Sequence, residues 1–382
     1  MIAIIAGTRP ELIKVAPLYL EFKKRGAPVQ VWLTGQHESL AEAPLEFFGI
    51  QPAQHWKTLQ AGQSSNVLLS KLLTFVDQAM AEVRPEAIVV QGDTTSALAG
   101  ALAGFHRGVP VAHVEAGLRT GDLSQPFPEE MNRKVIDAFA HWLFPPTELS
   151  RKNLLREGAV GIDPPTGNTG IDALFWARDK INRQGYWPDH IPHHGLYGSN
   201  SQVVLSTGHR RENLGEPLFQ VLRTLAQVIE EDGNTVLYHV VHPNPLATQI
   251  ASEALQGKKR VHLIPALDYP DFVCLLDQAD IVVSDSGGVQ EEAPSFAVKV
   301  LITRNVTERP EVLECGGELV GTDPSVIRER LKQALKNPRK KGNSNNVTPF
   351  GDGNASSRIA SRILNDLPGF YDAKKRVKKC GI

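Results

Sequence analysis

IAIIAGTRPELIKVAPLYLEFKKRGAPVQVWLTG, residues 2–35, decides the fold class of this chain. IAIIA, residues 2–6, is an apolar run without alternation, which predicts a buried strand. ELIKVAPLYLEFKKRG, residues 11–26, has helical spacing of its apolar residues and predicts an amphipathic helix, and VQVWLTG, residues 29–35, predicts a second strand. Strands of this kind, separated by helices, are typical of a parallel sheet covered on both faces.

The same alternation continues along most of the chain. Further strands and helices are predicted in two series, at 66–83, 86–91, 96–108 and 109–117, and then at 202–208, 216–231, 235–244, 260–267, 270–279, 280–287 and 299–305. Between about 150 and 200 the sequence is rich in Pro, Gly and His, as expected of an irregular domain junction. We therefore expect an α/β protein with two doubly wound, Rossmann-like domains that face a central cleft, where strand ends hold the ligands.

The bulk composition excludes several classes of protein. The 382 residues hold 41 Lys+Arg and 42 Asp+Glu, so no overall field attracts nucleic acid or an anionic membrane. The apolar runs fall far short of the ~20 residues of a membrane span, and Met1 leads directly into IAIIAG without the charged segment of a signal peptide. The three cysteines form neither a disulfide framework nor a metal knuckle. We expect a cytoplasmic globular protein without a nucleic-acid or membrane partner.

The segments with candidate functional residues follow predicted strands. GTRPELIK, residues 7–14, combines a Thr8–Glu11 capping box with Arg9 and Lys14, so that two cations accompany a helix N-terminus suited to anions. A well-capped helix with surface cations is an equally good interpretation of this segment alone. It is not a Walker A loop, which has a different spacing.

A second segment of this kind is SDSGGVQEEAPS, residues 284–295. Its SGG, at 286–288, opens a helix suited to a diphosphate, although a tight turn would explain it too. Glu291 or Glu292, about one turn later, is placed to accept a ribose hydroxyl, and these acids favour the nucleotide interpretation.

Two shorter segments offer groups for acid/base chemistry. STGHRREN, residues 206–213, places His209 beside two arginines, for phosphate contact or for acid catalysis. GDTTS, residues 92–96, offers Asp93 as a helix N-cap, the commoner role, or as a base.

One acidic stretch has no evident structural purpose. VEAGLRTGDLSQPFPEEMNR, residues 114–133, holds Glu115, Asp122, Glu129 and Glu130, and is predicted to be one long loop that is neither helix nor strand. No G-x-G-x-x-G loop follows the first strand, so the sequence lacks the usual dinucleotide-binding site of enzymes that transfer hydride. No Ser-His-Asp nucleophile elbow and no zinc-ligand spacing occurs either. The residues by themselves indicate an enzyme that acts on a nucleotide-linked substrate by acid/base chemistry, with no metal and no other cofactor.

Eight motifs occur in a fixed order: GTRPELIK, GDTTS, HVEAGLRTGD, PFPEEMNR, TGHRREN, HPNP, DSGGVQEEAPS and TERPE. From Gly7 to near residue 359 the chain resembles the non-hydrolysing UDP-N-acetylglucosamine 2-epimerases. The resemblance implies a glycosyltransferase-B-like fold, with UDP between two Rossmann-like domains, and a homodimer. The domains are then expected at 1–167, with a C-terminal helix in 355–382 packing back on it, and at 168–354 for UDP. The implied activity interconverts UDP-GlcNAc and UDP-ManNAc for surface polysaccharides.

The resemblance also implies the site residues. Asp93, Glu115 and Glu129 match the family's essential acids, and His209 matches its essential histidine. The residues that match positions around the UDP are Arg9, Lys14, His209, Ser286, Gly287, Gly288, Glu292 and Arg309. Phe272 is expected beside the uracil. Lys14 is expected to be a catalytic residue as well. Asp122 and Glu130 are expected to hold their loop in shape.

The chemistry of the family explains why several acids are needed. The C-2 proton has no carbonyl beside it, so UDP is eliminated to give 2-acetamidoglucal and is then added back, with a proton delivered to the opposite face. Two faces need two proton-handling groups, and the departing diphosphate needs cations. Which acid serves which face stays open.

The resemblance also implies a regulatory site, but this sequence departs from the family's pattern there. Many bacterial members are activated by a second UDP-GlcNAc, and the matching residues here are Gln36, Glu129, Arg210 and His242. However, Ser39 stands where the family has a glutamine, and Gly62 where an arginine contacts the effector. We therefore predict weak or absent activation.

Other functions fit the same cleft. A hydrolysing epimerase would release free ManNAc and UDP, a glycosyltransferase would need an acceptor groove, and a related epimerase would act on diacetamido-uronic sugars. A UDP-sugar sensor is the alternative without catalysis. Carboxylates beside a diphosphate weaken its binding, so a protein that only binds a UDP-sugar would have no use for several of them. Their presence argues against the sensor.

Overall fold

The computed structural model describes residues 1–35, 42–58, 62–193, 201–208, 210, 213–337, 339 and 346–379, without the side chains of 373–379. The chain forms two compact units. Unit 1 consists of Met1–Ala173 and Phe350–Ile382, and unit 2 consists of Leu174–Pro349.

Unit 1 is built on a parallel sheet. Its six strands in the described residues are β1 Ile2–Ala6, β2 Val29–Leu33, β3 Gln54–His55, β4 Ala87–Gln91, β5 Val111–Val114 and β6 Trp142–Phe144. Their spatial order is β3-β2-β1-β4-β5-β6, with parallel pairing throughout. The central strands β1 and β4 are buried along their whole length, which explains why they are almost continuously apolar.

Unit 2 repeats this plan. The strands described there are β7 Gln202–Thr207, β8 Thr235–Val240, β9 Val261–Ile264, β10 Ile281–Ser284, β11 Lys299–Ile302 and β12 Glu318–Leu319. Their order is β12-β11-β10-β7-β8-β9, again with parallel pairing. Each sheet therefore has one switch point, between β1 and β4 in unit 1 and between β7 and β10 in unit 2, where ligands of such folds bind. The two doubly wound sheets confirm the predicted fold class.

Helices connect the strands in both units. In chain order the described helices are α1 Arg9–Lys24, α2 Glu42–Phe48, α3 Ser65–Val83, α4 Thr95–His106, α5 Glu129–Phe139, α6 Glu148–Arg156, α7 Thr169–Gln184, α8 Glu216–Asp232, α9 Pro245–Leu255, α10 Tyr269–Gln278, α11 Gly287–Glu292, α12 Pro324–Leu335 and α13 Ala355–Lys379. Across the described part of the chain, none of them is both long enough and apolar enough to cross a bilayer.

The start of α1 has the predicted capping box. Thr8 Oγ1 accepts a hydrogen bond from the backbone N–H of Glu11 at 3.4 Å, and the Glu11 carboxylate accepts one from the backbone N–H of Thr8 at 2.8 Å. The two residues thereby satisfy N–H groups that a helix start leaves without partners.

The C-terminal helix α13 packs within unit 1. Arg25, which ends α1, donates to the hydroxyls of Ser357 and Ser361 at 2.9 and 2.7 Å. Trp142 Nε1 donates to Asp366 at 3.0 Å, so α13 contacts the edge strand β6 as well.

Two expectations from the sequence are wrong. The stretch 114–133 is not one long loop, because Glu129 and Glu130 form the first turn of α5. Carboxylates are favoured there by the helix dipole, and the apolar residues that complete the amphipathic pattern lie beyond residue 133. The junction 150–200 is not mainly irregular either, since it contains most of α6 and the whole of α7.

Candidate active site

The switch point of unit 1 brings the loops after β1 and β4 together. The loop after β1 passes so close to α4 that a Cβ at Gly7 would lie 2.0 Å from Ser96 Oγ. Only glycine fits this approach, and it lets α1 begin directly beside the end of β4. Lys14 on α1 and Asp93 after β4 consequently lie at the same edge of the sheet.

Glu115, directly after β5, is held by groups from both neighbouring elements. Lys14 Nζ lies 2.8 and 2.7 Å from its two carboxylate oxygens. Gln91, the last residue of β4, donates its side-chain amide to the same carboxylate. The Glu115 side chain is only 6% exposed, so the cation and the amide supply the stabilisation that water would otherwise give.

The backbone of Glu115 is strained. Its φ is +68°, in the left-handed region that residues other than glycine rarely adopt. Such strain costs about 1–3 kcal/mol and persists where the surrounding structure fixes it, commonly at functional sites. Here the contacts with Lys14 and Gln91 hold the side chain in place.

Asp93 faces a cation of its own. Its Oδ2 lies 2.8 Å from Arg133 Nη2, on α5. Burial raises the pKa of Asp93 most, the Arg133 guanidinium opposes this, the nearby Glu115 and Glu129 raise the pKa further, and Lys14 lowers it. The net result is a carboxyl group that holds a proton more readily than an ordinary aspartate.

These charge effects also show that Asp93, Glu115, Glu129 and Lys14 lie in one cluster, although the sequence predicts them from separate segments. Glu129 is half-buried and begins α5, one turn before Arg133. The cluster thus combines three carboxylates and two cations at the carboxyl edge of one sheet.

The remaining acids of the stretch 114–133 shape the loop, as expected. The buried Glu130 carboxylate accepts hydrogen bonds from the backbone N–H groups of Thr120 and Gly121 at 3.1 and 3.2 Å. The exposed Asp122 accepts from the backbone and the hydroxyl of Ser124 at 2.8 and 2.6 Å.

Glu11 does more than cap α1. Its second carboxylate oxygen accepts a hydrogen bond from Thr94 Oγ1 at 2.7 Å, and Thr94 is the N-cap of α4, next to Asp93. Complete burial raises the pKa of Glu11 to about 7, against the hydrogen bonds from Thr8, Thr94 and Gly7, which lower it. Glu11 therefore ties the loop after β1 to the loop after β4.

The switch point of unit 2 is organised around Asp285, which follows β10. Its Oδ2 accepts hydrogen bonds from the backbone N–H of Arg210 at 3.1 Å and from Asn213 Nδ2 at 3.2 Å. Arg210 Nε is buried and has no hydrogen-bond partner among the described residues. A buried donor of this kind is suited to an anionic ligand.

The SGG segment lies beside this arginine. Ser286 is the N-cap of α11 and makes no side-chain capping bond, and a Cβ at Gly287 would lie 3.8 Å from Arg210 Nη2. A Cβ at Gly288 would meet no described atom within 4 Å. Backbone N–H groups and a guanidinium thus meet at the edge where a diphosphate is expected.

Arg309, Glu292 and Phe272, also expected around the UDP, lie in unit 2 as well. Arg309 Nε donates to Glu291, which is almost fully buried, so Glu291 orients this arginine. Glu292 is half-buried at the end of α11, and Phe272 is half-buried on α10. Arg9 is half-buried at the first position of α1, in unit 1.

Of the remaining expected residues, three lie outside the described part of the chain and two lie within it. His209, Gln36 and Ser39 lie outside the described residues. His242 is exposed and accepts a hydrogen bond on Nδ1 from the backbone N–H of Asn244 at 3.2 Å, within the turn that caps α9. Gly62 has a φ of +75°.

Sequence reasoning missed the partners of the acids. Arg133 lies in the acidic stretch 114–133, and Gln91 is the last residue of the strand β4, yet the sequence alone assigns neither a role. The signal that would identify them is their position at strand exits and on the first turns of α5, combined with the strand order. A buried pair, His113 and Asp137, was missed for the same reason.

The chain is similar to UDP-N-acetylglucosamine 2-epimerases. A family model described as UDP-N-acetylglucosamine 2-epimerase matches residues 21–364. The UDP-N-acetylglucosamine 2-epimerase of Escherichia coli K12 is 38% identical over 367 residues, which cover 95% of this chain and 98% of that protein. The Bacillus subtilis 168 protein of the same name is 39% identical over 364 residues, which cover 94% of each chain.

Solved structures agree with this similarity. The crystal structure of the UDP-GlcNAc 2-epimerase from Neisseria meningitidis bound to UDP-GlcNAc matches with a TM-score of 0.82 and 34% identity. The match covers 95% of this chain and 99% of that chain.

Proposed function

The chain belongs to the UDP-N-acetylglucosamine 2-epimerase family, and from this membership we propose that it interconverts UDP-GlcNAc and UDP-ManNAc by inverting C-2. The enzyme is an isomerase with a glycosyltransferase-B-like fold. The observation that carries the proposal is the cluster of Asp93, Glu115 and Glu129 with Lys14 and Arg133. Its carboxylates and cations are the groups that this reaction needs.

The reaction proceeds in two steps, an elimination and an addition. A base removes the C-2 proton, the C-1–C-2 double bond of 2-acetamidoglucal forms, and the C-1–O bond breaks, with its electron pair leaving on UDP. A proton is then delivered to the other face of C-2, and the UDP oxygen attacks C-1. No net oxidation or hydrolysis occurs.

The acids of unit 1 handle the two faces of C-2 in this proposal. Asp93 has a raised pKa because of its burial and its acidic neighbours, whereas Glu115 is paired with Lys14. Carboxyl groups whose environments differ in this way can act as acid and as base at one pH. Glu129 supplies a third group for proton transfer, next to the other two.

Residues of unit 2 hold the UDP in this proposal. Ser286, Gly287 and Gly288 offer backbone N–H groups to the diphosphate, and Arg309 adds a cation. His209, beside Arg210 in the sequence, acts on the departing diphosphate. Glu292 binds the ribose and Phe272 packs against the uracil. We also propose that the enzyme is a cytoplasmic homodimer that feeds surface polysaccharide synthesis.

Proton NMR of UDP-GlcNAc incubated with the purified protein in heavy water tests the proposal. We expect UDP-ManNAc to appear, with deuterium at C-2 in both nucleotide sugars. Free ManNAc and UDP would instead indicate a hydrolysing epimerase. An unchanged and undeuterated substrate would contradict the epimerase proposal and favour a glycosyltransferase or a sensor.

Variants show whether the cluster does the chemistry. D93N should lose most of the turnover, whereas E82Q should turn over like the wild type, because Glu82 is exposed near the end of α3. Equal turnover in D93N and E82Q would assign the proton transfer to other groups.

A further inference from the structure

His113 is a fully buried histidine between two loops of the acid cluster. It lies in β5, two residues before Glu115, and its side chain is completely inaccessible to solvent. Its Nδ1 lies 2.6 Å from Asp137 Oδ1, and its Nε2 lies 2.7 Å from the backbone carbonyl oxygen of Gly92.

The two partners define the protonation of the ring. A carbonyl oxygen can only accept, so Nε2 must carry a proton. The other oxygen of Asp137 already accepts a hydrogen bond from Gly117 N at 3.1 Å and lies 2.8 Å from the Arg119 guanidinium, so Asp137 faces donors and acts as an acceptor. Nδ1 therefore carries a proton as well, and the ring is an imidazolium.

The charges around the ring agree with this geometry. Burial lowers the pKa of His113, but the Asp137 carboxylate, the bond to Gly92 and the more distant Asp93 together outweigh burial and raise it. Arg119, on the loop after β5, is the cation that faces Asp137, and it is paired with Glu157 on the other side.

The ring connects the backbone at two catalytic positions. Gly92 precedes Asp93, and Asn132 Nδ2 fixes the carbonyl of Asp93 itself at 2.8 Å. Asp137 holds the N–H of Gly117, two residues after Glu115, where a Cβ would lie 2.3 Å from a backbone oxygen of α6. One His113–Asp137 pair thus spans the loops that carry Asp93 and Glu115.

We propose that His113 is a positioning residue, protonated on both ring nitrogens, that fixes the carboxyl group of Asp93 relative to that of Glu115. The role of the two acids in this proposal rests on the epimerase function proposed above. The protonation of the ring does not depend on that function. His113 does not touch the substrate in this account. It acts through the backbone on either side of it.

NMR of the substrate-free protein labelled with ¹⁵N-histidine tests the protonation directly. The ring signal that disappears in H113Q is assigned to His113. We expect two protonated nitrogens with similar shifts at neutral pH, where a histidine with the ordinary pKa is largely neutral. A His113 ring with one bare nitrogen at neutral pH would overturn the proposal. This outcome does not depend on whether the protein is an epimerase.

Kinetics test the positioning. H113Q should lower kcat per folded molecule by about 10²-fold, since small displacements of catalytic groups have effects of this size, with KM changed by less than about threefold. H106Q, at an exposed site at the end of α4, should equal the wild type. A merely structural histidine would lower the melting temperature and leave kcat per folded molecule unchanged, and that result would overturn the proposal.

D137N provides a second variant should H113Q fail to fold. The amide that D137N introduces can donate to Nδ1, so the ring should become neutral and keep its Nε2 proton on Gly92. We expect loss of the imidazolium signal together with a kcat between those of H113Q and the wild type. A persistent imidazolium in D137N, or an unchanged kcat, would contradict the role of the pair. If the wild type itself has no epimerase activity, the proposed function fails while the NMR result still stands.

Discussion

The ammonium group of Lys14 lies 2.7 and 2.8 Å from the two carboxylate oxygens of Glu115, across a sequence separation of 101 residues. The strand order explains this contact, because β5 lies next to β4, and β4 lies next to β1, whose following helix carries Lys14. A buried carboxylate without its cation would be strongly disfavoured. The pair therefore stabilises unit 1, and in the proposed mechanism it also fixes the charge of the acid cluster.

Removal of the Lys14 charge should affect stability and activity together. We expect K14Q to lower the free energy of unfolding by about 3 kcal/mol, because Glu115 is left buried and unpaired. We also expect kcat/KM to fall by about 10²-fold or more. Urea unfolding and initial rates measure the two effects.

Two further variants serve as controls for Lys14. K24Q, at an exposed position of α1, should resemble the wild type in both measurements. The double variant K14Q/E115Q should recover part of the stability without recovering activity. Equal stability of K14Q and K24Q would contradict the importance of the pair.

Glu11 should make the stability of the protein depend on pH. Burial raises its pKa from the ordinary 4.5 to about 7, so the folded protein binds this proton more tightly than the unfolded chain. Its contribution to stability is therefore complete below about pH 4.5 and is lost as the pH rises through about 7. Relative to E11Q, the wild type should lose about 3 kcal/mol over this range.

Urea unfolding of both proteins at several pH values measures this difference. E82Q removes an exposed carboxyl group and should differ from the wild type by a constant amount. A constant difference between E11Q and the wild type would show that the pKa of Glu11 is the same in the folded and unfolded states, and would contradict the prediction.

Arg133 should set the protonation of Asp93. Its guanidinium opposes the effect of burial on the pKa of Asp93, so R133Q should raise that pKa further. We expect the limb of the pH dependence of kcat/KM that reports Asp93 to move to higher pH, and kcat to fall by about 10²-fold as the carboxyl group loses its orientation.

R133K keeps the charge and should keep most of the pH profile. R156Q, at an exposed site at the end of α6, should leave the profile unchanged. An unshifted profile in R133Q would mean that the limb belongs to another group.

UDP-GlcNAc should activate the enzyme weakly or not at all. By the resemblance, Ser39 stands where the family has a glutamine and Gly62 where an arginine would contact the activator, and glycine has no side chain to make that contact. The initial rate should therefore rise hyperbolically with UDP-GlcNAc, and added UDP-GlcNAc should not accelerate conversion of UDP-ManNAc. A sigmoidal curve, or a second UDP-GlcNAc bound in a crystal, would contradict this prediction.

The sequence predicts most strands and helices because apolar runs and helical spacing report burial directly. IAIIA at β1 and the capping box of α1 are examples. Glu129 shows the limit, since the helix α5 that it begins is recognisable only from residues beyond the quoted stretch, and the prolines before it suggest a loop. In the junction, the Pro- and Gly-rich ends of α6 and α7 likewise conceal the helices between them.

The candidate site follows from the sequence in part. The acids Asp93, Glu115 and Glu129 are predicted by the motifs that surround them. Their partners are not, because no local pattern reveals that Gln91 lies beside Glu115, or that Arg133 faces Asp93. Such contacts depend on the order of strands in the sheet, which the periodicity of single segments does not encode.

The most direct test of the account separates the two faces of C-2. Single variants D93N, E115Q and E129Q are incubated in heavy water, each with pure UDP-GlcNAc and, separately, with pure UDP-ManNAc, and deuterium at C-2 is followed by NMR. A variant that lacks the acid for one face should still exchange the C-2 proton of one epimer while failing with the other. We expect at least one variant to show this asymmetry, whereas loss of both exchanges, or of neither, in all three variants would contradict proton transfer by this cluster.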